Sequence, residues 1–432
     1  MGGNGSDALA RTAMNLLDTL LGECRHLRFA VRLWDGEMWE SQPGGLPLFT
    51  LVLKHPESLR RMCWRTNELT LGEAYIYDDF DIEGDILASF PLADYLLSRH
   101  WGLFEMLHLA RLFLRMPADQ GHGARLRQRG RRHSPRRDAA AISYHYDLSN
   151  DFYRLWLDSR MIYSCAYFQS PDDPLDVAQE RKLDLICRKL RLRPGEKLLD
   201  IGCGWGGLIL HAALNYGVDA TGITLSRRQA ELAGERIREA GVSGRCRAEV
   251  RDYREMAGEE VFDKVVSVGM FEHVGEARLD EYFRIAWRLL RPWGVFLNHG
   301  IAWNPLVPYN ADNASFIDKY VFPDGELLPI STTLRTAETN GFEVRDLESL
   351  REHYSLTLTH WVRRIEALHD EAVRLTSEVV YRTWRLYMAG AAHGFASNRM
   401  NLYQALLAKP DQGRSGLPLT RNDWYTPDGL QS

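Results

Sequence analysis

A doubly wound α/β domain behind a smaller α+β domain is the fold class this sequence predicts, and three observations predict it. The run Lys197–Ile201 is short and apolar enough for a buried strand, and it leads into closely spaced glycines, Gly202, Gly204 and Gly207, ahead of a helix-like segment. Strand and helix signals then alternate as a parallel sheet covered on both faces requires. The residues before Met116 follow another pattern, a hairpin and isolated helices. A length of 432 residues accommodates two or three domains of about 100–200 residues each.

Taken in order, Ala8–Cys24 reads as a helix. Phe29–Trp39 alternates and turns at Asp35-Gly36 like a hairpin, and Phe49–Leu53 is another strand candidate. Trp101, Phe104, Leu107 and Leu114 recur at helical spacing. Residues 117–142, rich in Gly, Arg and Pro, read as a linker between an accessory domain (1–116) and a catalytic domain (143–432). Within the latter, Lys197–Ile201 is strand one, and Leu208 and Leu210 ride on the helix after the glycine turn. Ala220–Leu225 is strand two. A helix over Arg227–Ala240 follows, capped by Ser226, with Ala230, Ala233 and Ile237 toward the sheet. Cys246–Val250, Lys264–Val268 and Gly294–Asn298 complete the strands, and residues 301–330 form an aromatic-rich insert suited to a lid.

The glycine turn belongs where nucleotide-like ligands bind, outside the carboxyl end of a strand. The glycines alone also fit a dinucleotide fingerprint. A dehydrogenase, however, would place Asp or Glu about twenty residues on to hold a ribose, and strand two ends instead in Thr224, Leu225 and Ser226. Asp200 before the first glycine, and Asp252 after a later strand, suit S-adenosylmethionine (SAM).

Bulk properties exclude several classes. There is no run of about 18 apolar residues for a spanning helix. The first residues lack the basic and apolar regions of a signal peptide. Six scattered cysteines without metal-ligand spacing point to reduced thiols, a cytoplasmic location and no metal. The net charge of −5 conceals seven arginines between Arg125 and Arg137. That run suits a solvated tether or attraction to an anionic membrane surface. Nucleic acid is not expected, since no stacking platform or recognition fold accompanies the charge.

From Ile142 to Tyr425 the chain resembles the cyclopropane-fatty-acyl-phospholipid synthase family, which includes the mycolic acid cyclopropane synthases. The resemblance rests on His145-Tyr-Asp-Leu-Ser-Asn-Asp-Phe152, Met161-Ile-Tyr-Ser-Cys-Ala-Tyr-Phe168, the glycine turn and Thr224-Leu-Ser-Arg-Arg-Gln229. It continues through Gly269-Met-Phe-Glu-His-Val-Gly275, Asn298-His-Gly-Ile301, Phe316-Ile-Asp-Lys-Tyr-Val-Phe-Pro323 and His353-Tyr-Ser-Leu-Thr-Leu358. The first part is similar to the N-terminal domain of bacterial members, through Leu69–Tyr75 and Phe80–Asp85.

The resemblance implies a Rossmann-like SAM-dependent methyltransferase that adds a methylene across a cis double bond of an unsaturated phospholipid acyl chain. It implies a bound bicarbonate ion as the base, at Cys165, Glu272, His299, Ile301 and Tyr354. For SAM it implies Tyr163, Ser164, Gly202, Gly204, Thr224, Leu225, Gln229, Asp252 and Tyr253. Asp200 would face the methionine end, Asp252 would accept from the adenine amine and Tyr253 would pack on the base. Tyr167, Phe168, Tyr320 and Phe322 are expected to line an acyl tunnel. Read without the resemblance, Glu272 could simply cap a helix, and His299, Cys165 and Tyr354 could be ordinary buried residues. Some members carry a cysteine where this chain has Met388, so a mechanism needing that thiol is excluded.

The expected setting is the inner face of the cell membrane, held peripherally. A homodimer is allowed, since the sequence does not fix the oligomeric state. The rival readings are a methyl- or methylene-branched product of the same transfer, a small-molecule N-methyltransferase, and a lipid-binding scaffold with a relic site. The intact cofactor motifs speak against the last.

Overall fold

In the computed structural model, residues 3–63, 67–99, 102–117, 148–307, 315–322 and 325–425 are described. The expected basic linker lies almost wholly outside them. The chain divides into two compact units. One draws on Met1–Arg127, Ala311–Val321 and His369–His393, and the other on the remainder.

In the first unit, β1 (Phe29–Arg32), β2 (Met38–Glu40), β3 (Phe49–Leu53) and β4 (Phe80–Gly84) form a sheet in the order β2-β1-β3-β4. β1 and β2 are the expected hairpin: Leu33 and Glu37 are backbone-bonded at 2.9 Å, and Gly36 takes φ +94° between them. Residues 369–393 join this unit although the sequence reading placed them in the catalytic domain. Two buried arginines attach them. Arg382 reaches Asp81 at 2.9 Å and donates to the Tyr75 carbonyl at 3.0 Å, and Arg385 donates to the Tyr75 hydroxyl at 2.7 Å. These partners lie some 300 residues apart in sequence, beyond the reach of local pattern.

The helix expected from Trp101 is present as Leu103–Phe113, but the apolar face read from spacing is not its buried one. Phe104, Leu107 and Leu114 are 87%, 52% and 74% exposed, while Leu109, Leu112 and Phe113 are buried.

The second unit is a seven-stranded sheet. Its strands are β5 (Lys197–Ile201), β6 (Asp219–Thr224), β7 (Cys246–Val250), β8 (Phe262–Val268), β9 (Leu290–Trp303), β10 (Glu343–Ser349) and β11 (Met400–Ala408), in the order β10-β11-β9-β8-β5-β6-β7. Strands β5 to β9 pair in parallel, and β11 and β10 add an antiparallel edge. The connection from β5 runs to β6 and β7 on one side, then returns to β8 on the other. β5 and β8 therefore flank a topological switch point, the crevice where such sheets bind ligands.

Alternate strand residues bury into opposite layers. Leu198, Val266, Leu297 and Leu406 pack with helices Leu175–Leu190 and Gly207–Tyr216, while Leu199, Val265, Phe296 and Leu407 pack with helix Leu279–Leu289. Because both faces are covered, these strands read as apolar runs and not as alternation. Ser226 caps helix Arg227–Glu239 by accepting from the Gln229 amide at 3.3 Å, and Ala230, Ala233 and Ile237 are buried as expected.

Candidate active site

At the switch point the chain turns sharply after β5. Gly202 and Gly204 take φ +87° and +53°, a region that L side chains rarely adopt. A Cβ on Gly202 would come within 2.6 Å of the Met270 side chain, whereas one on Gly204 would meet nothing within 4 Å and would stand in open space. That space is a cleft. Tyr163, Ser164, Asp200, Gly202, Gly204, Thr224, Leu225, Gln229, Asp252 and Tyr253 all line it. Thr224 and Gln229 hold each other through their side chains at 2.8 Å. The Asp252 carboxylate, expected to accept from an adenine amine, is engaged by Arg254 through Nε at 2.9 Å and Nη2 at 2.6 Å.

Lys182 also lines the cleft, and sequence reading missed it. It is 1% exposed, its Nζ donates to Ser164 Oγ at 2.8 Å, and burial holds its pKa down at about 8 against the pull of Asp158, Cys165 and Asp200. Asp200 is buried with Oδ1 lacking a hydrogen-bond partner among the described residues. Burial raises its pKa to about 7, with Lys182 pulling the other way. A signal existed in the sequence. Helix Leu175–Leu190 buries Ala178, Leu183, Ile186 and Leu190, and Gln179, Lys182 and Lys189 lie on the same stripe. Polar residues at apolar positions of an amphipathic helix mark burial with a purpose.

The residues expected at the base fall on β9 and the segments beside it. Glu272 is in a single turn after β8, with Oε1 accepting from the Ile301 backbone amide at 2.7 Å. Its other oxygen, Oε2, is buried without a hydrogen-bond partner among the described residues, and burial raises the carboxyl pKa to about 7 while the Ile301 amide lowers it. His299 shares the β9 face of Ile301, two residues away. It is 1% exposed, and Nε2 likewise finds no partner among the described residues. A lone orphaned polar atom in a core costs about 1–3 kcal/mol, so two in one neighbourhood call for a polar occupant.

Cys165 is fully buried, with Sγ 3.2 Å from the Ala166 carbonyl and 3.8 Å from that of Leu350. Burial pushes its thiol pKa up, so it is a neutral group and not a nucleophile. Tyr354 is buried one turn beyond Leu350, its ring 4.7 Å from that of Phe395.

Each of the four expected tunnel aromatics has its own ring or hydroxyl partner. Tyr167 stacks on His353 at 4.8 Å and Phe168 on His360 at 5.6 Å, while Phe322 meets His273 at 5.8 Å. Tyr320 belongs to the first unit, where its hydroxyl donates to Glu73 at 2.9 Å. Met388 is fully buried there as well.

A family model described as "Mycolic acid cyclopropane synthetase" matches residues 133–405, and one for a domain of unknown function matches residues 16–90. The chain is 41% identical over 403 residues to a "Probable fatty acid methyltransferase" of Pseudomonas putida, covering 93% of this chain and 97% of that one. It is 38% identical over 265 residues to the "Cyclopropane-fatty-acyl-phospholipid synthase" of Escherichia coli K12, covering 61% and 66%. Among solved structures it resembles the cyclopropane synthase MmaA2 of Mycobacterium tuberculosis, with TM-score 0.60, 34% identity and coverage of 62% and 97%. The mycolic acid cyclopropane synthase CmaA1 complexed with S-adenosylhomocysteine (SAH) gives TM-score 0.59, 35% identity and the same coverage. The SAM-type cleft at the switch point and these likenesses agree: the chain is a SAM-dependent methyltransferase and belongs to the mycolic acid cyclopropane synthetase family.

Proposed function

We propose that the protein is a cyclopropane-fatty-acyl-phospholipid synthase. The observation that carries this reading is the pair of buried atoms without partners, Glu272 Oε2 and His299 Nε2. An alkene is a weak nucleophile with no proton to remove first, so acceleration must begin with positioning against an electrophilic methyl. SAM in the cleft would supply that methyl. The π electrons of the cis double bond form a bond to the methyl carbon as the S–CH₃ bond breaks. SAH departs, and a carbocation remains on the acyl chain. Loss of a proton from the new methyl then lets its C–H electrons close the ring.

Glu272 and His299 suit an oxyanion that takes this proton. With its pKa raised by burial, Glu272 can face a hydroxyl as a carboxylate or an oxyanion as an acid, and a neutral imidazole can donate. Bicarbonate held there would be the base, and a positioned base contributes about 10²–10⁴-fold. The buried, neutral Cys165 is not itself a nucleophile toward the cation.

Among the described residues, no helix is long and apolar enough to cross a membrane. The seven arginines of Arg125–Arg137 would draw the enzyme to an anionic bilayer from the cytoplasmic side, at about 1 kcal/mol per basic residue.

A second reading, a methyl- or methylene-branched fatty acyl product, shares the same methyl transfer, which is all that the name of the Pseudomonas putida relative states. Lipids from cells expressing the chain test both. Ring formation gives acyl chains one CH₂ heavier that survive hydrogenation over a catalyst sparing cyclopropanes and show upfield ring protons. Vinylidene protons, or a saturated methyl branch, would establish the second reading instead.

A further inference from the structure

His299 can present either a donor or an acceptor to the base site, according to which ring nitrogen holds the proton. Its surroundings decide which. Glu348, Gln404 and His299 are register partners across β10, β11 and β9, so their side chains stand in one row on one face of the sheet. Lys189, in the last turn of helix Leu175–Leu190, reaches that row. Its Nζ pairs with the Glu348 carboxylate and donates to Gln404 Oε1 at 2.7 Å. Gln404 is fully buried, and its Nε2 lies 3.1 Å from His299 Nδ1.

The direction of each bond follows from chemistry. An ammonium can only donate, so the Gln404 oxygen must face Lys189 and its NH₂ must face the ring. An NH₂ can only donate, so Nδ1 must be bare. Burial, with Lys182 and Lys189 nearby, keeps the imidazole pKa well below its ordinary value, so the ring is neutral with one proton. That proton has one place left.

We propose that Lys189 and Gln404 are positioning residues that hold His299 as the Nε2–H tautomer, so that the ring offers a donor, not an acceptor, to an oxyanion at the base site. The inference rests on the reading of His299 as part of that site. It adds that the site's polarity is set from the far side of the sheet row, at a lysine that touches no reactant. The logic is that of a carboxylate fixing the tautomer of a catalytic histidine in a serine hydrolase, where reversal of the tautomer costs about 10⁴ in turnover.

The test uses the full chain labelled with ¹⁵N-histidine, with His299→Gln supplying the assignment. Wild type should show a protonated Nε2 and a bare Nδ1. Gln404→Glu places an acceptor against Nδ1 and should move the proton there, lowering kcat by about 10²–10³ while KM for SAM stays within about twofold. Should that variant not fold, Lys189→Met leaves Gln404 and His299 in place but frees the amide to turn over. A second tautomer should then appear, with a loss of about tenfold that Lys189→Arg restores. A bare Nε2 in wild type overturns the proposal, and so does a variant that loses activity with its tautomer unchanged. If the tautomer is as stated but bicarbonate neither binds nor affects turnover, the base-site reading falls and the tautomer assignment stands.

Discussion

The cofactor cleft and the base site share one unit of the molecule and are built on opposite plans. The cleft is made by loops at the ends of parallel strands, and apart from Asp200, whose Oδ1 has no partner among the described residues, its side chains largely satisfy one another. Thr224 holds Gln229, Arg254 holds Asp252 and Lys182 holds Ser164. The base site is made by side chains facing one another across the sheet and from the turn after β8, and there Glu272 and His299 each keep one buried atom unpaired. A satisfied cleft can wait for a cofactor that comes and goes. Each orphaned atom costs about 1–3 kcal/mol until something occupies the site, and that is where chemistry is exposed to small changes of proton and geometry.

The largest expected effect would break this contrast if it failed. Glu272→Gln keeps the size and the bond from Ile301 but alters the donor and acceptor pattern at Oε2. Turnover should fall by about 10²–10⁴, with SAM affinity by calorimetry within about twofold. A parallel loss of SAM affinity would mean that the two regions are one site.

Gly204→Ala should do the reverse. At φ +53° any side chain is strained, and this one enters the open space of the cleft. A β-branched residue would add strain of its own, so alanine is the cleaner probe. SAM affinity should drop tenfold or more through the steric contact with the new methyl, while the left-handed backbone strain lowers only the stability of a chain that still melts cooperatively. Unchanged affinity in the folded variant would move the cofactor elsewhere.

A smaller effect sharpens the comparison through pH. Glu272 and Asp200 both have folded-state pKa values raised by burial to about 7. Their stabilising contribution is therefore complete below the ordinary carboxyl range, near pH 4, and is lost as pH rises through 7. Without ligands, Glu272→Gln should raise the melting temperature more at pH 8 than at pH 5. An equal shift at both values would show that the carboxylate is hydrated.

The smallest effect on chemistry is expected from neutralising the arginines of Arg125–Arg137. Binding to anionic vesicles should weaken, and added salt should weaken wild-type binding over the same range. Turnover of detergent-dispersed substrate should be unchanged. Equal vesicle affinity before and after would make the run a tether.

The same contrast explains what the sequence made legible. The cleft could be read from short stretches, since the turn after β5 needs its glycines in a row and Ser226 caps the helix it precedes. Five parallel strands were found, with β5 and β7 at their observed bounds. The two antiparallel strands at the edge were not, nor were Lys182, Lys189 and Gln404. Gln404 meets His299 across 105 residues, and a register that distant leaves no local trace. Glu272 and His299 were singled out through family resemblance, because a carboxylate after a strand and a histidine at a strand end are ambiguous alone. The helix Leu103–Phe113 shows the opposite failure. Spacing there was helical, but Phe104, Leu107 and Leu114 lie on its exposed side, since periodicity gives a face and not its direction.

The central claim is that the orphaned pair marks a base site that strips a proton from the transferred methyl. Supplying SAM with a trideuterated methyl to the full chain on cis-unsaturated phospholipid vesicles tests it directly, by NMR of the product. The expected product is a cyclopropane whose ring methylene retains two deuteriums, the third having been lost as the ring closed. A methyl branch retaining all three deuteriums would contradict it.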